Sequence, residues 1–206
     1  MVLLAYQNIA GSPENTHGSL EWCREKEIRI VFVGEGWIEK NSRGTQTHPS
    51  FMLMTIAKQR SRVMAYMRKE IEEEMKVVEE EDNLIILEEK IKKSRGGVYA
   101  NGRWHVVRWK EWLGKLEEAI GGEASLLGDW NAHSYAWDET REEDARGKTM
   151  EEWVVAIGWT LVEGDSSPTW ERTREGRRES SRINFVISKD RSDWSPIKST
   201  KLLSDH

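Results

Sequence analysis

The chain has 206 residues, 37% hydrophobic and 33% charged, and its 31 basic and 36 acidic side chains give a formal net charge of -5. That length suits one domain with a real core, and the balance is polar without being that of a disordered chain. No apolar run nears the roughly 18 residues of a membrane span, the first ten residues lack the basic start of a secretory signal, and the single Cys23 excludes a disulfide framework and a Cys-rich zinc site.

These features lead us to expect an intracellular protein, nuclear or cytoplasmic, with no membrane partner. Net acidity argues against a general nucleic-acid coat but leaves room for a local basic patch. Trp is over-represented, with 11 against 4 Tyr and 3 Phe. The indoles either fill the core or stack on bases, and their scatter along the chain favours the core.

In chain order, Val2–Asn8 reads as a strand. Ser12–Pro13 opens a helix to about Lys26, with Leu20 and Cys23 spaced for its inner face. Ile28–Gly34 is a continuous β-branched run, the mark of a strand covered on both sides. Glu35 follows directly, and a loop carrying Gly44 and Pro49 runs to about residue 50. Residues 63–93 are ambiguous: Glu70 to Glu89 holds ten acidic residues and one Lys, a helical composition. Yet MKVV and NLIIL, split by Glu79–Asp82, equally fit short strands around a turn, and the acidic run itself reads as a solvated face.

Beyond Gly96–Gly97, Val98–Tyr99 ends a strand before Asn101–Gly102. Trp109, Trp112, Leu113, Leu116 and Ile120 mark a helical stripe. Ser125–Gly128 is a short buried strand leading into Asp129. Met150, Trp153, Val154 and Ile157 repeat the helical spacing and stop at Gly158. Trp159–Val162, Thr169–Trp170 and Ile183–Ser188 read as strands. With no internal repeat or linker, residues 1–206 form one α/β domain with a largely β core.

The chemically useful side chains fall at strand ends. Asn8 and Glu35 each close a strand, Asp129-Trp-Asn131-Ala-His133 follows SLLG, Asn184 lies in RINFVIS, and Ser204-Asp205-His206 is last. Carboxylates and amides gathered in one crevice suit a hard cation such as Mg²⁺, and a His–Asp pair beside a DxN turn can position water and stabilise charge at phosphorus. Singly, each has a plainer reading: Asn8 a turn residue, Glu35 a surface carboxylate, Asp129 and Asn131 an Asx-turn, His133 a loop residue.

The series Asn8, Glu35, Tyr99, GDWNAH, Thr169, RINFV and SDH resembles the endonuclease/exonuclease/phosphatase superfamily over essentially the whole chain. GEGWI followed by THPSF makes it most similar to the endonuclease domain of LINE-type (non-LTR) retrotransposons. The resemblance implies a two-layer β-sandwich flanked by helices, and strands at 63–68, 75–79, 84–89 and 91–99. It implies Mg²⁺ held by Glu35 and Asn8, Tyr99 and Thr169 on the scissile phosphate, Asp129 activating water beside Asn131, and His206 with Asp205 stabilising charge at phosphorus. The implied activity is nicking of duplex DNA to leave a 3′-hydroxyl for reverse transcription. Arg172, Arg174, Arg177 and Arg178 would belong to a hairpin reaching the DNA.

Three features depart from the pattern. Asn184 stands where the family has the Asp that orients the catalytic His. Gly34-Glu35-Gly36-Trp37 replaces Gln-Glu-Pro-Trp, which is expected to loosen the turn at Glu35. The chain ends at His206, so the family's closing strand is expected to be missing. The rival readings are a non-catalytic remnant that at most binds nucleic acid, favoured by Asn184, and a small-molecule phosphoesterase, which the retrotransposon-like strings disfavour.

Overall fold

A computed structural model describes residues 3–39, 44–55, 61–89, 93–120, 124–162, 168–174 and 177–189. The chain divides into two compact units, Met1–Tyr99 with Leu126–Gly128, and Ala100–Ser125 with Asp129–His206.

In the first unit, β1 (Leu4–Asn8) leads to α1 (Pro13–Glu25) and β2 (Ile30–Gly34). The start of α1 is as its residues demand: the Ser12 hydroxyl accepts from the Asn15 N–H at 3.1 Å, and Pro13 occupies the first turn. Its end explains why β2 begins at Ile30 rather than Ile28. Glu27 takes a left-handed φ of 57°, and the Ile28 N–H is spent on the Cys23 carbonyl at 2.9 Å. The short α1 crossover makes β1 and β2 parallel.

The chain continues through β3 (Phe51–Leu53), absent from the sequence reading, and β4 (Val63–Arg68), completing a sheet of order β1-β2-β4-β3. Next come a 3₁₀ helix at Lys69–Glu74, β5 (Met75–Glu81), β6 (Leu84–Glu89) and β7 (Ser94–Tyr99). The ambiguity over 63–93 therefore resolves as strands, with helical geometry surviving only at Lys69–Glu74. Burial overrides propensity here: Val63–Met67 and Leu84–Leu87 are buried throughout, and Asp82-Asn83 makes the turn between β5 and β6. Residues 91–92 of the strand expected at 91–99 lie outside the described residues, as does Val2.

β2 shows why a continuous apolar run was needed. Val31 and Val33 pack with Leu20 and Cys23 of α1. Phe32, on the other face, lies against Gly97 of β7, where an added Cβ would run into its ring. The two sheets of this unit thus meet where glycine removes a side chain.

The second unit contains α2 (Val106–Ala119), the ends of β8 (Ala124–Asp129), α3 (Ala145–Ala156), β9 (Thr160–Val162), β10 (Trp170–Arg174), β11 (Arg177–Ser181) and β12 (Asn184–Ser188). The centre of β8, Leu126–Gly128, belongs to the first unit. Strand order β8-β12-β9 forms one sheet segment, and β10-β11 is a separate antiparallel hairpin. Several aromatic residues here are core: Trp109 and Trp130 are fully buried, and Trp130 stacks on Phe185 with centroids 5.7 Å apart. Two β-sheets flanked by helices are the α/β class expected from the sequence. No helix among the described residues is long and apolar enough to cross a membrane.

Candidate functional site

The first cluster lies wholly in the first unit, at the carboxyl ends of its strands. Asn8 closes β1 and pairs in register with Gly34, and its Oδ1 accepts from the Ala10 N–H at 3.1 Å. Glu35 follows β2 with a left-handed φ of 48°, a conformation that costs a non-glycine residue about 1 kcal/mol. Three contacts hold it there. Its N–H donates to the Arg62 carbonyl at 2.7 Å, its carbonyl accepts from the Gly11 N–H at 2.7 Å, and its Oε1 accepts from the Tyr99 phenol at 2.9 Å. Strain held by a closed set of bonds is characteristic of functional positions.

The flanking glycines have a packing reason. A Cβ on Gly34 would meet the Tyr6 phenol, and one on Gly36 would meet the end of the Met64 side chain. Both glycines of the turn presenting Glu35 thus lie against side chains, Tyr6 and Met64.

Tyr99 is fixed from the other side. Its N–H donates to the Asn83 carbonyl at 3.0 Å, and its carbonyl accepts from Asn83 Nδ2 at 2.7 Å. Asn83, at the end of the acidic run, is thus a clamp on Tyr99. The Glu35 carboxylate and the Asn8 amide are hard oxygen donors of the kind Mg²⁺ accepts while keeping several waters. No group of three or more His, Cys, Asp or Glu that could hold a metal ion occurs among the described residues.

The second cluster lies in the second unit. Asp129, at the end of β8, is buried, and its Oδ1 accepts from the Asn131 N–H at 3.2 Å. Asn131 has a φ of 47°, which asparagine tolerates, and its Nδ2 donates to the Ala100 carbonyl at 2.9 Å. The Asx-turn reading holds in geometry, and it is what aims the loop. The Thr169 hydroxyl oxygen accepts from the backbone N–H groups of Ile183, at 3.0 Å, and Asn184, at 2.9 Å. Asn184 Nδ2 donates to the Thr169 carbonyl at 3.3 Å, which fixes the amide's orientation. Asn184 Oδ1 is then a buried acceptor with no partner among the described residues.

Behind these residues lies a polar cluster that sequence reasoning missed. Asp138 Oδ2 accepts from the Ser181 hydroxyl at 3.0 Å and the Arg182 N–H at 2.8 Å, while Oδ1 accepts from the Thr140 hydroxyl at 2.6 Å. Ser181 has one proton, given to the carboxylate, so His133 Nδ1, 3.0 Å away, must donate to Ser181 Oγ. Burial pulls the His133 pKa down, against the raising effect of Asp144. Burial pushes the Asp138 carboxyl up, but its hydrogen bonds from Thr140, Arg182 and Ser181 outweigh that and leave it below the ordinary range. The one sequence signal was the continuation of the GDWNAH string into a second acidic residue.

Arg172, Arg174, Arg177 and Arg178 fall on the β10-β11 hairpin, with Arg174 and Arg177 its last facing pair. Asp205 and His206 lie outside the described residues, as does any closing strand after Lys189. An open groove of about 490 Å³ in the first unit, lined by Thr45, His48, Phe51, Leu53 and Tyr66 among others, contains none of the site residues.

No protein-family model matches the chain, and no curated protein matches it in sequence. Solved structures do match it in fold. The endonuclease domain of TRAS1, a telomere-specific non-LTR retrotransposon, superposes with a TM-score of 0.66 at 15% identity, covering 92% of this chain and 86% of that one. A 3′ phosphatase, NExo from Neisseria, bound to a product DNA hairpin, gives 0.62 at 13% identity, covering 91% and 86%. An AP endonuclease from Archaeoglobus fulgidus gives 0.59 at 14% identity, covering 92% and 87%. The chain has the endonuclease/exonuclease/phosphatase fold.

Proposed function

We propose that this chain is a Mg²⁺-dependent DNA endonuclease domain of the non-LTR retrotransposon type, nicking duplex DNA by phosphodiester hydrolysis. Its fold is one that nucleases and phosphatases share. The observation that carries the reading is Glu35, a carboxylate held at a left-handed φ by Tyr99 and by two backbone bonds, beside the Asn8 amide.

In this reading Glu35 and Asn8 would hold Mg²⁺, which would supply Lewis-acid stabilisation of charge at phosphorus. Asp129 takes a proton from the attacking water while Asn131 keeps the loop in place. The Thr169 hydroxyl, its oxygen already accepting two N–H bonds, has its proton left for a phosphate oxygen. Tyr99 contacts the scissile phosphate, and His206 with Asp205 stabilises charge at phosphorus. A water oxygen bonds to phosphorus, the P–O3′ bond breaks, and the 3′-oxygen leaves with a proton. The β10-β11 arginines approach the duplex backbone, and the protein acts in the nucleus or cytoplasm.

A plasmid-nicking assay tests this. The wild-type chain should convert supercoiled DNA to the open circle with Mg²⁺ and not with EDTA, and Glu35→Gln and Asp129→Ala should abolish it while remaining folded. Asn184 favours a second reading, a remnant that binds nucleic acid without cutting it, because an amide cannot stabilise an imidazolium. Duplex binding with no nicking by the folded wild type would establish that reading instead.

A further inference from the structure

Arg62 immediately precedes β4 and has no part in the reaction described above, yet its backbone is built into the first cluster. Its carbonyl accepts the Glu35 N–H, and its own N–H donates to the Asp82 carbonyl in the β5–β6 turn. Its side chain is placed quite differently. It is 51% exposed, with Nη1 at 3.6 Å from Glu35 Oε1, an ion pair too long to be a hydrogen bond. The guanidinium carbon sits 6.0 Å from the Tyr99 ring centroid, at the outer edge of cation–π range.

The main chain thus fixes where the guanidinium starts from, while its five N–H donors make no hydrogen bond among the described residues. The two side chains it borders are the carboxylate proposed to hold Mg²⁺ and the phenol beside it. A guanidinium fork matches two oxygens of a phosphodiester. Glu35 Oε1, by contrast, already accepts from Tyr99 and is approached only loosely by Arg62.

We propose that Arg62 is a phosphate-binding residue of this site. With neither metal nor nucleic acid bound it neutralises Glu35. When a divalent cation takes Glu35, it turns its fork to a backbone phosphate oxygen. The proposal rests on the phosphodiester reading above, and it assigns the phosphate a protein cation in addition to the metal.

Two bindings should move in opposite directions in Arg62→Ala. Mn²⁺ alone, titrated by electron paramagnetic resonance, should bind several-fold more tightly, because a competing cation has left Glu35. With Mn²⁺ saturating, a short uncleavable phosphorothioate duplex should bind about tenfold more weakly at low salt, with the slope of log K against log salt reduced by about 0.9, one phosphate contact. Arg62→Lys should recover the slope but not the full affinity, since an ammonium lacks the fork. Melting temperatures should stay within a degree or two, as an exposed side chain implies.

Tighter Mn²⁺ binding with unchanged duplex affinity and slope would make Arg62 a counter-ion of Glu35 and overturn the proposal. No change in either would reduce it to a surface ion pair. A wild type that binds duplex through Arg62 but never nicks would leave this contact standing and refute the hydrolase. A wild type that binds no duplex at any salt overturns both.

Discussion

The phenol of Tyr99 donates a 2.9 Å hydrogen bond to Oε1 of Glu35, two residues 64 positions apart in the chain. Tyr99 is the last residue of β7 and Glu35 the first after β2, so the bond ties the ends of strands in two sheets that pack face to face in the first unit. Tyr99→Phe removes only the oxygen. Hydrogen bonds to charged groups are among the stronger ones, but Glu35 is partly exposed, so the loss should cost about 1 kcal/mol of stability. Nicking should fall roughly tenfold or more, since a carboxylate misplaced by one bond's worth of energy loses about a decade in rate. Urea unfolding and the plasmid assay measure the two effects separately, and a variant with full activity would detach Tyr99 from the site.

Asn131 should be more sensitive to alanine than to glycine. Its φ of 47° suits Asn or Gly, and its Nδ2 bond to Ala100 is lost in both variants. Asn131→Ala should therefore cost about 2 kcal/mol and Asn131→Gly about 1 kcal/mol, readable as urea midpoints. An equal or milder effect of alanine would show that the left-handed turn is not what the residue supplies.

Acid should destabilise the second unit in two steps. His133 is half-buried, and that desolvation holds its folded pKa below the ordinary 6.5, so the unfolded chain takes up the proton first. Stability is then complete above pH 6.5 and falls as pH drops from there toward the folded value. Asp138 is also depressed below its ordinary 3.8, by the hydrogen bonds from Thr140, Arg182 and Ser181 acting against burial. Its contribution is present above 3.8 and is lost as pH falls through the folded value. Thermal melts across pH should show the first decline removed in His133→Gln and the second flattened in Asp138→Asn. Unchanged profiles would place both groups outside the stabilising network.

Asn184→Asp should raise nicking and lower stability together. A carboxylate supplies the charge that faces an imidazolium, and the reverse change costs about 10⁴ in a serine-protease triad, which bounds the gain. It also loses the Nδ2 donor and sets a charged oxygen 3.3 Å from the Thr169 carbonyl, a penalty of about 1–2 kcal/mol. Equal nicking by both forms at matched folding would acquit Asn184 of any defect in activity.

Four arginines on one hairpin of an acidic chain should dominate its salt response. If each neutralises one phosphate, replacing Arg172, Arg174, Arg177 and Arg178 by alanine should flatten log K against log salt by up to about 3.6. Fluorescence anisotropy with duplex DNA reads this directly, and an unchanged slope would exclude the hairpin as the DNA contact.

Much of this was legible in the chain. The Ser12–Pro13 start of α1, the doubly covered run of β2, the stripe of α2 and the Asp129–Asn131 turn each follow from local chemistry that neighbours do not override. The strings at Glu35, GDWNAH and RINFV pointed to the fold the comparisons bear out. Residues 63–93 were different. Their glutamates favour helix one residue at a time, and only burial of Val63–Met67 and Leu84–Leu87 between other layers decides for strands. The role of Asn83 in clamping Tyr99, the lock of Asp138 on Ser181 and Arg182, and the approach of Arg62 to Glu35 depend on which strand ends become neighbours. No local pattern encodes such long-range pairings, because each partner is an ordinary surface residue until the sheets bring it to the other.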